Sequence, residues 1–400
     1  MQIADENSQL GPMAGLKVVD FSAMVSGPLC SQNFGDLGAD VIKVESPAGV
    51  TSRMLGGIYR AGLSGFFAQM NRNKRSIVLN LKTDEGRQIA LRLAQQADVV
   101  LENFRPGVTE RLGIDYEAVK EKTPAVIYLS ITGFGPDGPY SNYPTYDMVI
   151  QGISGMMPMQ GRKGEPELMQ SVVADKCVAI TAASAALAAL LARERNGGEG
   201  QRVDVPMLDA YAQLMLTDNF AARAFVPEDH PAQPELDLFR TWKTKDGHVV
   251  GIVVEDRQFQ GLCRALECEQ LIEDARFKTI GDRFENNAEM NRAIEVEIAK
   301  WSTEELVARA RQHDAPFAPV NSIDDFVEDP QVAHNGTVLE AEDPQGGTAR
   351  YISHPSSYSA TPASLRLHPP RLGEHTDEIL LAAGYGEAEI ARLRDTKSIA

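Results

Sequence analysis

Asp175 is the residue whose setting most directly suggests chemistry. It lies in Ser171-Val-Val-Ala-Asp175-Lys-Cys-Val-Ala-Ile180, where an apolar, alanine-rich stretch begins. A carboxylate in the first turn of a helix is favoured by the helix dipole, which keeps it ionised. An ionised carboxylate can act as a nucleophile and form a covalent intermediate. The competing reading is an N-terminal helix cap, and local periodicity alone favours the cap.

The second feature is basic. Asn71-Arg-Asn-Lys-Arg75 puts Arg72, Lys74 and Arg75 at the start of an expected strand, and Arg105 and Arg111 flank Pro106-Gly107 just after another. Parallel sheets carry ligands beyond the carboxyl ends of their strands. Arg105 and Arg111 follow such an end, whereas Arg72 to Arg75 precede a strand, so topology does not put them in one site. In a chain of net charge −17, such basic residues point to a phosphate-bearing ligand. The plain alternative is surface pairing with Asp84, Glu85 or Glu102, which is common and weak.

Other chemistries lack their motifs. The first loop, Phe21-Ser-Ala-Met-Val-Ser-Gly-Pro28, has one glycine and then a proline. A dinucleotide-binding turn needs Gly-x-Gly-x-x-Gly there, so a nicotinamide dehydrogenase is disfavoured. Glu45, placed where a ribose-binding acid would stand, reads as a solvated strand end. No phosphate-binding Gly-x-x-x-x-Gly-Lys loop, Gly-x-Ser-x-Gly elbow or His-Glu-x-x-His pair occurs. The seven histidines all fall in the second half, and Cys30, Cys177, Cys263 and Cys268 have no metal-ligand spacing. Reduced, buried thiols of a cytoplasmic protein without a metal are expected. The acidic balance argues against nucleic acid and anionic membranes as partners. Met1 to Leu10 is polar and acidic, unlike a signal or transit peptide. Val178 to Leu191 is the longest apolar run, short of the roughly 20 residues that span a bilayer.

These residues need elements to position them. Leu16–Phe21, Asp40–Glu45, Arg75–Leu81, Asp98–Glu102 and Ala125–Ser130 read as strands, with helical patterns between them. That alternation predicts a parallel sheet with helices on both faces. Thr83 reads as the N-cap of a helix over Asp84–Gln96. A long helix is expected over Val173–Arg195, closed by Asn196-Gly-Gly, and Gln201–Val205 is a further strand. Val226–Pro234 reads as a linker. Beyond it, Phe239–Lys243 and Asp246–Val254 form a hairpin turning at Asp246-Gly247, followed by helices to Arg311. The tail, Gly373–Ser398, is helical. The expected organisation is residues 1–225 as the first part of a large domain, 226–325 as a smaller middle domain, and 326–400 as the return segment.

Taken in order, several segments resemble the family III coenzyme A-transferases, which include formyl-, carnitine- and dicarboxylate-CoA transferases and the related α-methylacyl-CoA racemases. The resemblance rests on Gly15-Leu-Lys-Val-Val-Asp-Phe21, Ser26-Gly-Pro28, Leu37-Gly-Ala-Asp-Val-Ile-Lys-Val-Glu45 and Asn73-Lys-Arg-Ser-Ile77. It continues through Glu102-Asn-Phe-Arg-Pro-Gly107, Arg111-Leu-Gly113, Thr132-Gly-Phe-Gly135, Tyr146-Asp147, Gly200-Gln201 and Gly373-Glu-His-Thr376. It implies a Rossmann-like α/β domain built from both chain ends, a smaller α+β middle domain, and two ring-like subunits interlocked as a homodimer.

The same resemblance implies that Asp175 attacks an acyl-CoA thioester and passes through a mixed anhydride and an aspartyl-CoA thioester. Backbone N–H groups at a helix start are expected to stabilise the oxyanions. It assigns coenzyme A contacts to Val25 and Ser26, to Leu79 through Lys82, and to Asn103, Phe104, Arg105 and Arg111. Tyr146 and Asp147 fall at the thioester end, and Arg72, Lys74 and Arg75 fit a phosphate role. The partners implied are an acyl-CoA and a small carboxylic acid, a short dicarboxylate pair by general similarity.

The sequence also departs from the pattern. Formyl-CoA members carry glutamine where Val25 stands and arginine where Ser46 stands, for which Arg53 is a substitute. They carry a run of glycines as a lid, whereas Pro227–Gly281 has only isolated ones. Formyl-CoA and oxalate are therefore disfavoured. The racemases use histidine where Tyr146 stands, which leaves two-base exchange at an α-carbon harder to write. A racemase or a non-catalytic CoA-binding protein are the alternatives.

Overall fold

The computed structural model describes residues 11–57, 60, 62–161, 165–226 and 238–400. The acidic start of the chain and most of the expected linker lie outside them. The chain divides into two compact units, Met1–Ala221 with Gly336–Ala400, and Ala222–Asn335.

The first unit is an α/β fold around six parallel strands: β1 (Lys17–Asp20), β2 (Asp40–Glu45), β3 (Lys74–Val78), β4 (Val99–Glu102), β5 (Ile127–Thr132) and β6 (Gln201–Pro206). Their order is β3-β2-β1-β4-β5-β6, and every neighbouring pair is parallel. Between them run α1 (Ser26–Asp36), α2 (Gly65–Asn71), α3 (Asp84–Ala94), α4 (Val108–Leu112), α5 (Tyr116–Lys120), α6 (Asp147–Ile153), α7 (Met156–Gln160) and α8 (Val173–Arg195), and α9 (Met207–Met215) follows β6.

Side chains alternate across the sheet. Val18, Val41 and Val99 pack with α1, α8 and α9, while Val19, Ile42 and Val100 pack with α3 and the chain's last helices on the other face. The alanines of α8 serve the first of these cores: Ala182, Ala186 and Ala189 are buried there. By length and composition α8 could cross a bilayer, but 56% of its most apolar window is buried, so it acts as a core helix. Thr83 caps α3 by accepting from Gly86 N–H at 3.1 Å, and Gly198 N–H closes α8 on Arg193 C=O at 2.9 Å.

One strand is shorter than its apolar run. The stretch expected to Leu81 ends at Val78, where its partner β2 runs out at Glu45, and the chain's own end pairs just beyond it. Leu79 forms an antiparallel bridge with Ile399, and Asn80 N–H donates to Ser398 C=O at 2.9 Å.

The second unit holds an antiparallel sheet of β7 (Thr241–Lys243), β8 (His248–Gly251) and β9 (Phe317–Pro319). The four helices α10 (Asp256–Ala265), α11 (Ile280–Glu285), α12 (Asn287–Ile298) and α13 (Thr303–Gln312) precede β9, and α14 (Ile323–Glu328) and α15 (Pro330–Asn335) follow it. Trp242, Phe259, Phe277 and Leu306 centre its core. Back in the first unit, β10 (Val338–Glu342) and β11 (Thr348–Ile352) pair as a hairpin, and α16 (Thr376–Ala382) and α17 (Glu387–Asp395) seal the sheet face with Ile379, Leu380, Ile390 and Leu393.

Candidate active site

The sheet order reverses between β1 and β4, so the loops leaving these two strands turn to opposite sides and open a crevice. Such a switch point is where open α/β sheets bind ligands. Here the crevice is a cleft of about 610 Å³. Its walls are Ala23 to Ser26 after β1, Asn103 to Pro106 after β4, Ile131 to Gly133 at the end of β5, and Thr145 to Met148 at the start of α6; Val172 and Asp175 come from the start of α8. Leu55, Phe66, Tyr143 and Met207 make part of the lining apolar.

Asn103 ties two of these walls together. Its Oδ1 accepts from Ala23 N–H at 2.8 Å, and its Nδ2 donates to Ala23 C=O at 2.9 Å. The tied loop carries Met24 at φ 64°, a left-handed backbone that costs a residue with a Cβ about 1–2 kcal/mol. Strain of this kind persists only where surrounding contacts over-determine it.

The start of α8 shows which carboxylate caps it. The helix has no cap from its own neighbouring side chain. The cap comes from Asp147, whose Oδ2 accepts from Ala174 N–H at 2.7 Å and from Asp175 N–H at 3.1 Å. Its other oxygen accepts from Gln151 Nε2 at 2.6 Å. Asp175 is thus relieved of capping, and its side chain lines the cleft. The Ala174 and Asp175 N–H groups are thus taken by Asp147, which leaves the start of α1 as the helix start open to the cleft.

Burial pushes the Asp175 carboxyl up to about 6, with the neighbouring Asp147 charge adding to the rise. The hydroxyl and N–H of Ser26 oppose it by hydrogen bonding. Ser26 is the first residue of α1, which also lacks a side-chain cap. The positive end of α1 therefore faces a carboxylate it helps keep ionised. The outcome is an anion at neutral pH that is more basic than an ordinary aspartate.

The expected ligand residues fall into three groups. Val25, Ser26, Asn103, Phe104, Arg105, Tyr146 and Asp147 line the cleft with Asp175. Tyr146 is 66% exposed at its rim. Lys82 and Arg111 are exposed outside the cleft lining, and Leu79 is fully buried behind β3. Lys82, Arg105 and Arg111 form no ion pair among the described residues.

The basic run is a correction. Arg72 is buried and gripped by Asp36, with Nη2 at 2.6 Å from Oδ2. Lys74 is fully buried at 3.2 Å from Asp20. Arg75 pairs with Asp40 and Glu378, both at 2.7 Å, not with Asp84, Glu85 or Glu102. None of the three is available for a phosphate. Arg53 is no substitute for the arginine missing at Ser46 either. It grips Glu45 bidentately at 2.8 and 2.6 Å and lies 3.8 Å over the Phe67 ring. Glu45, expected to be solvated, is buried in that pair.

Sequence reasoning missed several buried ionisable groups, Glu102 and Lys43 among them. Glu102 accepts from Phe104 N–H at 2.7 Å, and burial pushes its carboxyl up to about 7. Lys43 is fully buried beside Asp20. The signal for Lys43 was present, since a lysine inside Val-Ile-Lys-Val requires a partner.

Residues 13–376 match the family model described as CoA-transferase family III. The chain is 33% identical to a succinate–glutarate CoA-transferase of Agrobacterium fabrum over 94% of this chain and 97% of that one. It is 30% identical to a formyl-CoA:oxalate CoA-transferase of Shigella sonnei over 97% and 99%. The fold superposes on a CaiB/BaiF family protein of Brucella suis with a TM-score of 0.82 and 35% identity, covering 94% of this chain and all of that one. The sheet with its switch-point cleft and the matching sequence from Met13 to Thr376 make this chain a member of CoA-transferase family III.

Proposed function

We propose that this enzyme moves coenzyme A from an acyl-CoA donor to a carboxylic acid acceptor, with Asp175 as the covalent nucleophile. The observation that carries the reading is the Asp175 carboxylate: raised to about 6, freed from capping by Asp147, and lining the cleft.

The chemistry balances without an external acid or base. An Asp175 oxygen attacks the thioester carbonyl, the C–S bond breaks, and CoA leaves as thiolate with an aspartyl–acyl anhydride behind it. The thiolate attacks the aspartyl carbonyl, giving an aspartyl-CoA thioester and releasing the donor acid as its carboxylate. The acceptor carboxylate then attacks that thioester, thiolate leaves again, and it finally attacks the acceptor's carbonyl and restores Asp175. A raised carboxyl basicity helps the first step, since nucleophilicity follows basicity. Keeping the released thiolate in the cleft makes the return attack effectively intramolecular.

Ser26, which lines the cleft with Asp175 and whose N–H and hydroxyl lower its carboxyl, would meet charge developing there. Val25, Asn103 and Phe104 would hold the thioester end, and the exposed cations Lys82, Arg105 and Arg111 the phosphates. Tyr146 at the rim would flank the acyl group. Among the described residues lining the cleft there is no histidine or lysine, so the racemase reading lacks its usual second base. The relatives named for succinate and glutarate support short dicarboxylates as the acid pair.

The test is succinyl-CoA incubated with a panel of mono- and dicarboxylates, with new acyl-CoA species read by mass. Transfer to a short dicarboxylate is expected. No transfer to any acid, together with deuterium wash-in at the α-carbon of a 2-methylacyl-CoA, would favour the racemase.

A further inference from the structure

The motifs of the basic run and the first two strands converge on one place that the ligand site does not use. Asp20 ends β1, Lys43 lies within β2 and Lys74 opens β3, and all three are fully buried. Asp20 Oδ2 lies 3.2 Å from Lys74 Nζ and 3.7 Å from Lys43 Nζ. None of the three lines the cleft.

Two lysines against one aspartate leave positive charge over, and its other partners are informative. Lys43 Nζ donates to Ser22 C=O at 2.9 Å. Lys74 Nζ donates to Pro28 C=O at 2.8 Å and to Asn71 Oδ1 at 2.9 Å. Asp20 accepts from Ser22 N–H at 2.8 Å, from the Ser22 hydroxyl, and from the Ser31 hydroxyl of α1 at 2.6 Å. The charges therefore grip both ends of the segment that carries Val25 and Ser26. A Cβ on Gly27 would fall 2.2 Å from Ser22 Cβ and Oγ, so the start of α1 sits directly on the gripped serine.

We propose that Asp20, Lys43 and Lys74 are positioning residues for the transfer reaction: they hold residues 22–28 so that Ser26 meets the Asp175 carboxylate. The proposal rests on Asp175 being the nucleophile. Burying ions is expensive, and well-packed apolar residues in their place are often as stable or more so. What apolar residues cannot supply is a hold on two backbone carbonyls across a loop with Met24 in the left-handed region. The loop's conformation and the satisfaction of the buried charges thus depend on each other. Burial lowers the Lys74 ammonium to about 7 against the pull of Asp20, with Lys43 repelling it.

The test uses Lys43→Met, Lys74→Met and the milder Ser22→Ala in the full-length chain. Melting confirms folding, equilibrium titration gives acyl-CoA affinity, and a rapid-mixing single turnover gives the rate at which the Asp175 adduct forms. Folded lysine variants should bind acyl-CoA within about threefold of wild type but form the adduct at least about tenfold more slowly, as displaced reacting groups do. Ser22→Ala should show the same split at about threefold, which keeps the test decisive if a lysine variant does not fold. Unchanged adduct formation in the folded variants overturns the proposal, as does a loss confined to affinity. If wild type itself forms no adduct at Asp175, the transferase reading fails instead. The triad is then judged by hydrogen exchange in residues 22–31: faster exchange in folded Lys43→Met supports the hold on the loop, and unchanged exchange refutes it.

Discussion

At the scale of single residues, two carboxylates divide the work of one helix start. Asp147 takes the two N–H groups, and Asp175 keeps its lone pairs for the cleft. Their spacing explains why local sequence favoured Asp175 as the cap: the capping carboxylate lies 27 and 28 positions before the amides it caps, far outside any capping-box pattern. The pairing has a pH consequence. Only ionised Asp175 attacks, and its carboxyl is raised to about 6, so kcat/KM should fall as pH drops below about 6 and level off above it. Asp147→Asn retains an acceptor oxygen for the cap but removes the charge that adds to the rise. Its acid limb should move to lower pH while the fold survives. A pH–rate profile of wild type beside Asp147→Asn checks this, and an unmoved acid limb would contradict the electrostatic role of Asp147.

At the scale of elements, the strands were legible because parallel, doubly covered strands are nearly continuous apolar runs. Val-Val-Asp20, Val-Ile-Lys-Val and Val-Val-Leu-Glu102 each became a strand of the sheet. The site loops were legible as positions too, since Val25, Ser26 and Asn103 through Arg105 all follow strand ends and all line the cleft. What was not legible is which charges face solvent. Arg72, Lys74 and Arg75 looked like a phosphate cluster because their partners, Asp36, Asp20, Asp40 and Glu378, are remote in sequence. Lys43 and Lys74 meet Asp20 only after three strands have aligned, and no local pattern encodes that meeting. The strand expected to Leu81 stops at Val78, where its partner strand runs out at Glu45, and residues from the far end of the chain pair beyond it.

At the scale of the whole molecule, both chain ends build the first unit, and Ala222–Asn335 forms the second. We propose that two such chains associate as the interlocked homodimer that the family resemblance implies. One observation supports an association: α8, central to the core on one side, leaves Ile180, Leu187 and Leu191 at 58%, 40% and 51% exposure on its other side. These positions share a helical face at spacings of seven and four. Light scattering after size exclusion should give twice the 43.6 kDa of the chain. A mass of one chain at micromolar concentration would contradict the dimer and leave that face to be explained otherwise.

The central claim is that Asp175 bonds covalently to the substrate. It is tested most directly by mixing the enzyme with acyl-CoA, adding hydroxylamine, and reading the tryptic peptide ending at Lys176 by mass spectrometry. A hydroxamate on Asp175 that needs both reagents is expected, with activity lost in parallel, and neither change in Asp175→Ala. Turnover without any modification of Asp175, or normal turnover by Asp175→Ala, would contradict it.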